Sequence, residues 1–505
     1  MGPITEPCHL KLEGSGRPGS PGLQTRPWAG SRPQSRRQAA RTDVSSISRG
    51  LTNPRRVPGP PLEWGHLHGD RPRQDRPCRH RRSQRMPLAD HLLLLLVGLL
   101  ALSHDGRSQT AEHQQEDQGT DEGSPSLRIA PSNTDFALSF YHLVASQSPK
   151  GNVFFSPLSI SAAYAMLSLG ARADTWAQIL EGLGFNLTEV PESDIHRGFQ
   201  HLLLTLNLPD DKLETRVGSA LFLGRDLQPL PSFLNDTTAF YGAKVFHADF
   251  LDSEGTAQLI NNHVREETRG KIENVVSRIT PEVVMVLVNY IYFKGLWEKP
   301  FSQSKSYPQD FHVDEKTVVQ VPMMFQDRNY HWYLHDRYLP CSVLRMDYHG
   351  HARALFILPD KGKMKQVEEV LTPEMLTRWN SLLQKRSFYK KLELYFPKFS
   401  ISGSYDLDEI LPQLGIRDLF SREANLSGIT TQQNMLVSKS FHKAVLEVDE
   451  AGTQAAAATR VSTTFLSASR NPYILRFNRP FFVVIFSTST QSILFLGKVV
   501  NPMES

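Results

Sequence analysis

Few residues of this chain have types and spacings that could do chemistry. His442 invites a Ser–His catalytic reading, but no nucleophile motif such as G-x-S-x-G accompanies it. The other reading is a structural, hydrogen-bonded histidine. Of the three cysteines, Cys8 and Cys78 lie near the start and only Cys341 lies in the long acidic remainder. That remainder therefore holds neither an internal disulfide nor a multi-cysteine zinc site. No metal, no cofactor and no enzymatic activity are expected. Lys385, Arg386, Lys390 and Lys391 form a basic cluster with Phe388 and Tyr389 between them. Such density of charge can bind a sulfated glycosaminoglycan, or can be a solvated charge run. Asn186, Asn235 and Asn425 each open an Asn-x-Ser/Thr sequon, the acceptor pattern for N-glycans in a secreted protein.

The segment from Val445 to Arg479 is the most informative. A strand-like stretch ends at Glu450, then come Gly452, Thr453, Gln454 and four alanines, Ala455, Ala456, Ala457 and Ala458. In isolation the alanines read as a piece of helix or a low-complexity linker. Between two strands, small residues have a further use: they can slip between existing strands without steric clash.

The elements that must position these residues follow from periodicity. Asn133–Ser146 places Phe136, Phe140, Leu143 and Val144 on one helical face, capped by Asn133 or Thr134. Ile160–Leu169, after Ser156-Pro157, is a second, apolar helix. Ala257–Thr268 reads as a mostly polar helix with Ile260 and Val264 inward, and Gly270 can end it. Val283–Phe293, interrupted only by Asn289, reads as a strand buried on both faces. Further strands are expected at Ala354–Leu358, Leu392–Phe396, Phe481–Ser487 and Ser492–Leu496, the last two joined by a turn at Thr488–Gln491. Early helices and late strands predict an α+β domain.

Charge divides the chain of 505 residues. Residues 1–85 hold 17 Lys/Arg against 6 Asp/Glu, leaving 39 against 46 in the rest, so the pI of about 8.8 describes no single part. It gives no argument for nucleic-acid binding. Leu92–Leu102 is 11 apolar or glycine residues, too short for a membrane span of roughly 20 but right for a signal-peptide core of about 7–15. Translation from Met86 with cleavage after Ser103 predicts a secreted, extracellular protein without a stable membrane span. Residues 1–85, rich in Pro, Gly and Arg, are then an upstream extension missing from the mature chain; the alternative is a basic disordered tail. Residues 104–125 read as a polar linker and 126–505 as one domain. The secreted form is expected to be a monomer of net charge −6, with 39 Lys/Arg against 45 Asp/Glu.

NVFFSPL at Asn152–Leu158, VNYIYFKGLWEKPF at Val288–Phe301, VPMM at Val321–Met324, LYFPKF at Leu394–Phe399, FNRPFFVVIF at Phe477–Phe486 and LFLGKVVNP at Leu494–Pro502 together resemble the serpins, in that family's order and spacing. The resemblance implies helices packed on a large, mostly antiparallel sheet with an exposed reactive loop. It implies a serine protease inhibitor that is cut in that loop and then inserts the loop's N-terminal arm as a new strand. Gly452 resembles the family's hinge glycine, fifteenth before the cut, which places the reactive bond between Leu466 and Ser467. Leu466 suits a chymotrypsin-like hydrophobic pocket, and the resemblance to kallikrein-directed members of the family adds tissue kallikrein as a target. Arg460 and Arg470 fit the spacing worse. On insertion Thr453, Ala455, Ala457, Thr459, Val461, Thr463 and Phe465 share one face, all small or apolar. Ser156, Ser159, Asn289 and His442 match positions where the central strands part, and Trp297 matches a tryptophan near the loop's entry point. Heparin is an implied partner of the basic cluster. The alternative within the family is a non-inhibitory carrier of a small hydrophobic ligand; the hinge, free of charge, proline and bulk, favours inhibition.

Overall fold

The computed structural model describes residues 123–209, 212–432, 435–452 and 473–504. All belong to the unit spanning Ala111–Ser505. Helices α1 (Pro125–Gln147), α2 (Pro157–Ser168), α3 (Ala173–Gly182), α4 (Glu192–Leu206), α5 (Pro231–Tyr241) and α6 (Ser253–Glu267) dominate the first half, with α7 (Met364–Glu368), α8 (Pro373–Leu382) and α9 (Leu407–Ile410) later. The strands are β1 (Val153–Phe155), β2 (Leu213–Gly224), β3 (Lys244–Ala248), β4 (Met285–Gly295), β5 (Tyr307–His312), β6 (Val318–His335), β7 (Cys341–Asp347) and β8 (Ala352–Pro359). They continue as β9 (Tyr389–Pro397), β10 (Phe399–Asp406), β11 (Lys439–Val448), β12 (Tyr473–Arg476), β13 (Phe481–Ser487) and β14 (Ile493–Val499). The α+β class is as expected.

The strands divide between two sheets. One has nine strands, ordered β1-β14-β13-β8-β7-β6-β9-β12 with β5 on β6; the other has five, ordered β10-β11-β4-β2-β3. They meet where β1 crosses β10: a Cβ on Gly403 would lie 1.7 Å from the Phe154 carbonyl oxygen, so only glycine fits. In the five-stranded sheet β4 pairs antiparallel with β2 and parallel with β11, from Val286↔Lys439 to Phe293↔Leu446. Every β4 residue but Lys294 is buried, because helices cover one face and the other sheet's core the second. α2 is buried all round, as a helix apolar on every side must be. Its N-terminus is capped by Ser156, whose hydroxyl accepts the Ser159 N–H at 3.2 Å. In α6, Ile260 and Val264 are buried and Asp252 caps the start; Gly270 follows its end at φ +78°.

One helix differs from the sequence expectation. α1 starts at Pro125, with Ser124 as N-cap, and not at Asn133. Pro131 lies inside it, where it removes one i→i−4 hydrogen bond. Burial of Ile129 and Ala130 holds the added turns against that loss.

Candidate functional site

The central feature is the seam between β4 and β11. Asn289 and His442 are register partners across it, and both are buried. His442 Nδ1–H donates to Asn289 Oδ1 at 2.6 Å, while His442 Nε2 accepts the Ser156 N–H at 3.1 Å. The Ser159 hydroxyl donates to the same Asn289 oxygen at 2.8 Å. Asn289 Nδ2 donates to the Ser159 carbonyl at 2.8 Å and reaches the Gly218 carbonyl and the Ser219 hydroxyl on β2 at 3.2 Å each. Tyr164 on α2 adds a hydroxyl bond of 2.7 Å to Ser440 on β11. The first turn of α2 is thus tied to both seam strands at once. Burial pushes the His442 imidazole down to about 3, with Lys443 adding to the effect, so the ring is neutral. None of these serines is poised as a nucleophile; the histidine is structural.

Trp297 stands apart from those four, eight residues along the chain from Asn289, roughly 26 Å at about 3.3 Å per residue. There it stacks on Tyr348, with ring centroids 4.1 Å apart, and its indole N–H donates to the Asp449 carbonyl at 3.0 Å. β11 has lost its pairing with β4 by this point, since the register ends at Leu446↔Phe293. The departing chain is held by Trp297 N–H to the Ala451 carbonyl (3.2 Å) and Phe301 N–H to the Glu450 carbonyl (2.6 Å). The buried Glu450 carboxylate accepts from Lys398 at 2.9 Å. Burial opposes its ionisation, but the Lys398 bond and its other hydrogen bonds hold the carboxyl below its usual value. Gly452 lies at φ +82°, and a Cβ there would sit 2.2 Å from the Trp297 nitrogen and 2.4 Å from the Gly295 carbonyl oxygen. Glycine is therefore required at the last described residue before the loop. The hinge residues Thr453–Ala458, Arg460 and the reactive bond Leu466–Ser467 lie outside the described residues. The chain resumes as β12, parallel to β9 in the other sheet.

Lys385, Arg386 and Lys390 are exposed and Lys391 half-exposed at the junction of α8 and β9. None of the four forms an ion pair among the described residues. Asn186, Asn235 and Asn425 are exposed. In two sequons the asparagine oxygen accepts the hydroxyl at the third position, from Thr188 at 2.7 Å and from Ser427 at 2.8 Å. In the third, Thr237 is buried in α5 and donates instead to the Leu234 carbonyl. Cys341 is a buried free thiol, pushed up to about 12 by burial and the nearby Asp336 and Asp360. The signal-like segment 86–103 and residues 1–85, with Cys8 and Cys78, lie outside the described residues. Among those described, no helix is long and apolar enough to cross a membrane.

A family model described as "Serpin (serine protease inhibitor)" matches residues 131–502. The chain belongs to the serpin family. It is a serine protease inhibitor by family, not an enzyme. Kallistatin from Homo sapiens is 68% identical over 424 residues, covering 83% of this chain and 99% of that protein. The crystal structure of human glycosylated kallistatin superposes with a TM-score of 0.72 at 69% identity, covering 76% of this chain and all of the other. Cleaved kallistatin complexed with heparin gives a TM-score of 0.63 at 69% identity, over 65% and 96%. Human thyroxine-binding globulin with its ligand gives 0.70 at 45% identity, over 75% and 100%. The serpin's Lys398–Glu450 and Trp297–Asp449 contacts escaped sequence reasoning. Their partners are 52 and 152 residues apart, and the available signals were Lys398 inside the LYFPKF motif and Trp297 inside VNYIYFKGLWEKPF.

Proposed function

We propose that this serpin is a secreted, single-use covalent trap for serine proteases with a chymotrypsin-like or tissue-kallikrein pocket. One observation carries the reading: β4 and β11 lie side by side in parallel, and the chain leaves β11 through a glycine anchored against β4. An arm folding back from Gly452 would run antiparallel to both. Insertion would replace one parallel ladder by two antiparallel ones, which pair slightly better per residue. The protease serine attacks the Leu466 carbonyl carbon, the bond to Ser467 breaks, and Ser467 leaves with the new amine. The protease remains esterified to Leu466 and is carried off before water completes hydrolysis. Similarity to kallistatin supports the choice of targets. Mixing the secreted protein with chymotrypsin or with tissue kallikrein should give an SDS-resistant complex and a C-terminal fragment beginning at Ser467. Clean cleavage without complex would overturn the trap. It would favour the carrier reading, which the similarity to thyroxine-binding globulin supports.

The same reading includes secretion with a mature N-terminus at His104, and glycans on Asn186, Asn235 and Asn425. It also includes a heparin site at Lys385, Arg386, Lys390 and Lys391, supported by their unpaired exposure and by the heparin complex of cleaved kallistatin. Changing all four to alanine should move elution from a heparin column to markedly lower salt. Each lost cation removes about one released counterion, in the way that phosphate contacts do. Unchanged elution would place heparin elsewhere.

A further inference from the structure

The segments from the end of α2 to α5 line an open cleft of about 630 Å3, within the roughly 300–1,000 Å3 usual for small-molecule sites. It lies at the end of α2 opposite the seam cluster. Its walls divide by chemistry. Trp176 and Phe240, both half-buried, supply flat apolar surface, and the His196 ring lies 5.9 Å from the Phe240 ring. Glu192, the one carboxylate of the lining, is bonded within the wall through one of its two oxygens. It accepts from the Trp176 indole at 2.8 Å and from His196 Nε2 at 3.4 Å. The His196 bond, against an opposing effect of burial, and the Trp176 bond hold its carboxyl below the usual range. His196 Nδ1 accepts from the Tyr241 hydroxyl at 2.6 Å. These bonds fix the aromatic wall in place and hold Glu192 ionised.

Two guanidiniums, of Arg172 and Arg197, face this one carboxylate in the lining, and the Arg172 charge helps to hold it ionised. Arg172 spends one nitrogen on the Leu169 and Ala171 carbonyls, at 2.9 and 2.7 Å. Arg197 is exposed and makes no hydrogen bond or ion pair among the described residues. A pre-formed cleft with flat apolar walls, one carboxylate tied to the wall and two guanidiniums that outnumber it selects for one class of ligand. We propose that this cleft binds an amphipathic organic anion, with a flat aromatic body against Trp176 and Phe240 and a carboxylate or sulfonate at Arg197, supported by Arg172.

The test uses 8-anilinonaphthalene-1-sulfonate as probe on the intact protein. Fluorescence titration should show one saturable site per chain. The R197E and R197Q variants, altered only at an exposed side chain and expected to keep the wild-type unfolding midpoint, should each weaken binding by about 10-fold or more, the worth of one charge-assisted hydrogen bond. F240A should weaken it as well. Neutral N-phenyl-1-naphthylamine, which lacks the sulfonate, should bind about 10-fold or more weakly than the probe. The proposal is overturned by the absence of a saturable site. It is equally overturned by R197E and R197Q binding like wild type, or by the neutral compound binding as tightly as the anion.

Discussion

Replacing Thr453 by arginine should convert the inhibitor into a substrate. Thr453 directly follows Gly452, whose backbone is pressed against Gly295, Leu296 and Trp297 at the end of β4. It is therefore the first residue to enter the seam when the arm inserts. Period-two alternation puts it on the small and apolar face with Ala455, Ala457 and Thr459. An arginine there has to leave water without a partner, which costs several kcal/mol. Insertion competes with hydrolysis of the acyl-enzyme, and each ~1.4 kcal/mol on the insertion barrier slows it about tenfold. The partition should shift by about 100-fold or more toward hydrolysis. Wild type should give SDS-resistant complex; T453R should give cleaved serpin and the Ser467 fragment with no complex, while T453S behaves as wild type. Complex formation by T453R at wild-type stoichiometry would mean that this face does not enter the sheet.

What could be read in the sequence, and what could not, follows from where the determining contacts lie. β4 and α2 were legible because burial on all sides leaves a continuous apolar run. The β13–β14 hairpin was legible because both strands and their turn are consecutive. β6 was not. Its 18 residues include the polar stretch Gln326–Asn329, where the register with β9 shifts and Arg328 adopts φ +46°. An irregularity of this kind interrupts the alternation that signals a strand. The start of α1 was hidden by Pro131. The seam cluster gave one local clue, Asn289 alone in an apolar strand. Its partners Ser159 and His442 are 130 and 153 residues away, so family resemblance, and not periodicity, drew them together. The bond that closes the seam can be seen only once β4 and β11 are aligned.

That bond makes the seam sensitive to acid. Strands pair about 4.8 Å apart, so a strand inserted between β4 and β11 must double their separation and break the 2.6 Å contact from His442 to Asn289. The contact requires neutral imidazole, because Nε2 faces the Ser156 N–H, a donor. A proton on Nε2 would set donor against donor. The folded ring titrates at about 3, against roughly 6.5 when unfolded. Between those values the unfolded state binds more protons, so stability is complete above about pH 6.5 and falls as the pH drops toward 3. The slope approaches ~1.4 kcal/mol per pH unit from this group. The buried His331, also held at about 3 by burial and by Lys299, adds to the same trend. Removing the ring isolates its share. H442A leaves the Asn289 oxygen one donor short and the Ser156 N–H buried and unpaired, which should cost about 2–4 kcal/mol at pH 7.4. The loss would be read as a lower urea midpoint and as faster spontaneous loss of inhibitory activity. By pH 4.5 wild type itself should have given up roughly 2–3 kcal/mol of this stabilisation, so the difference between wild type and H442A should shrink toward zero. A gap between the two proteins that stays constant from pH 7.4 to 4.5 would show that His442 is not the group through which acid opens the seam.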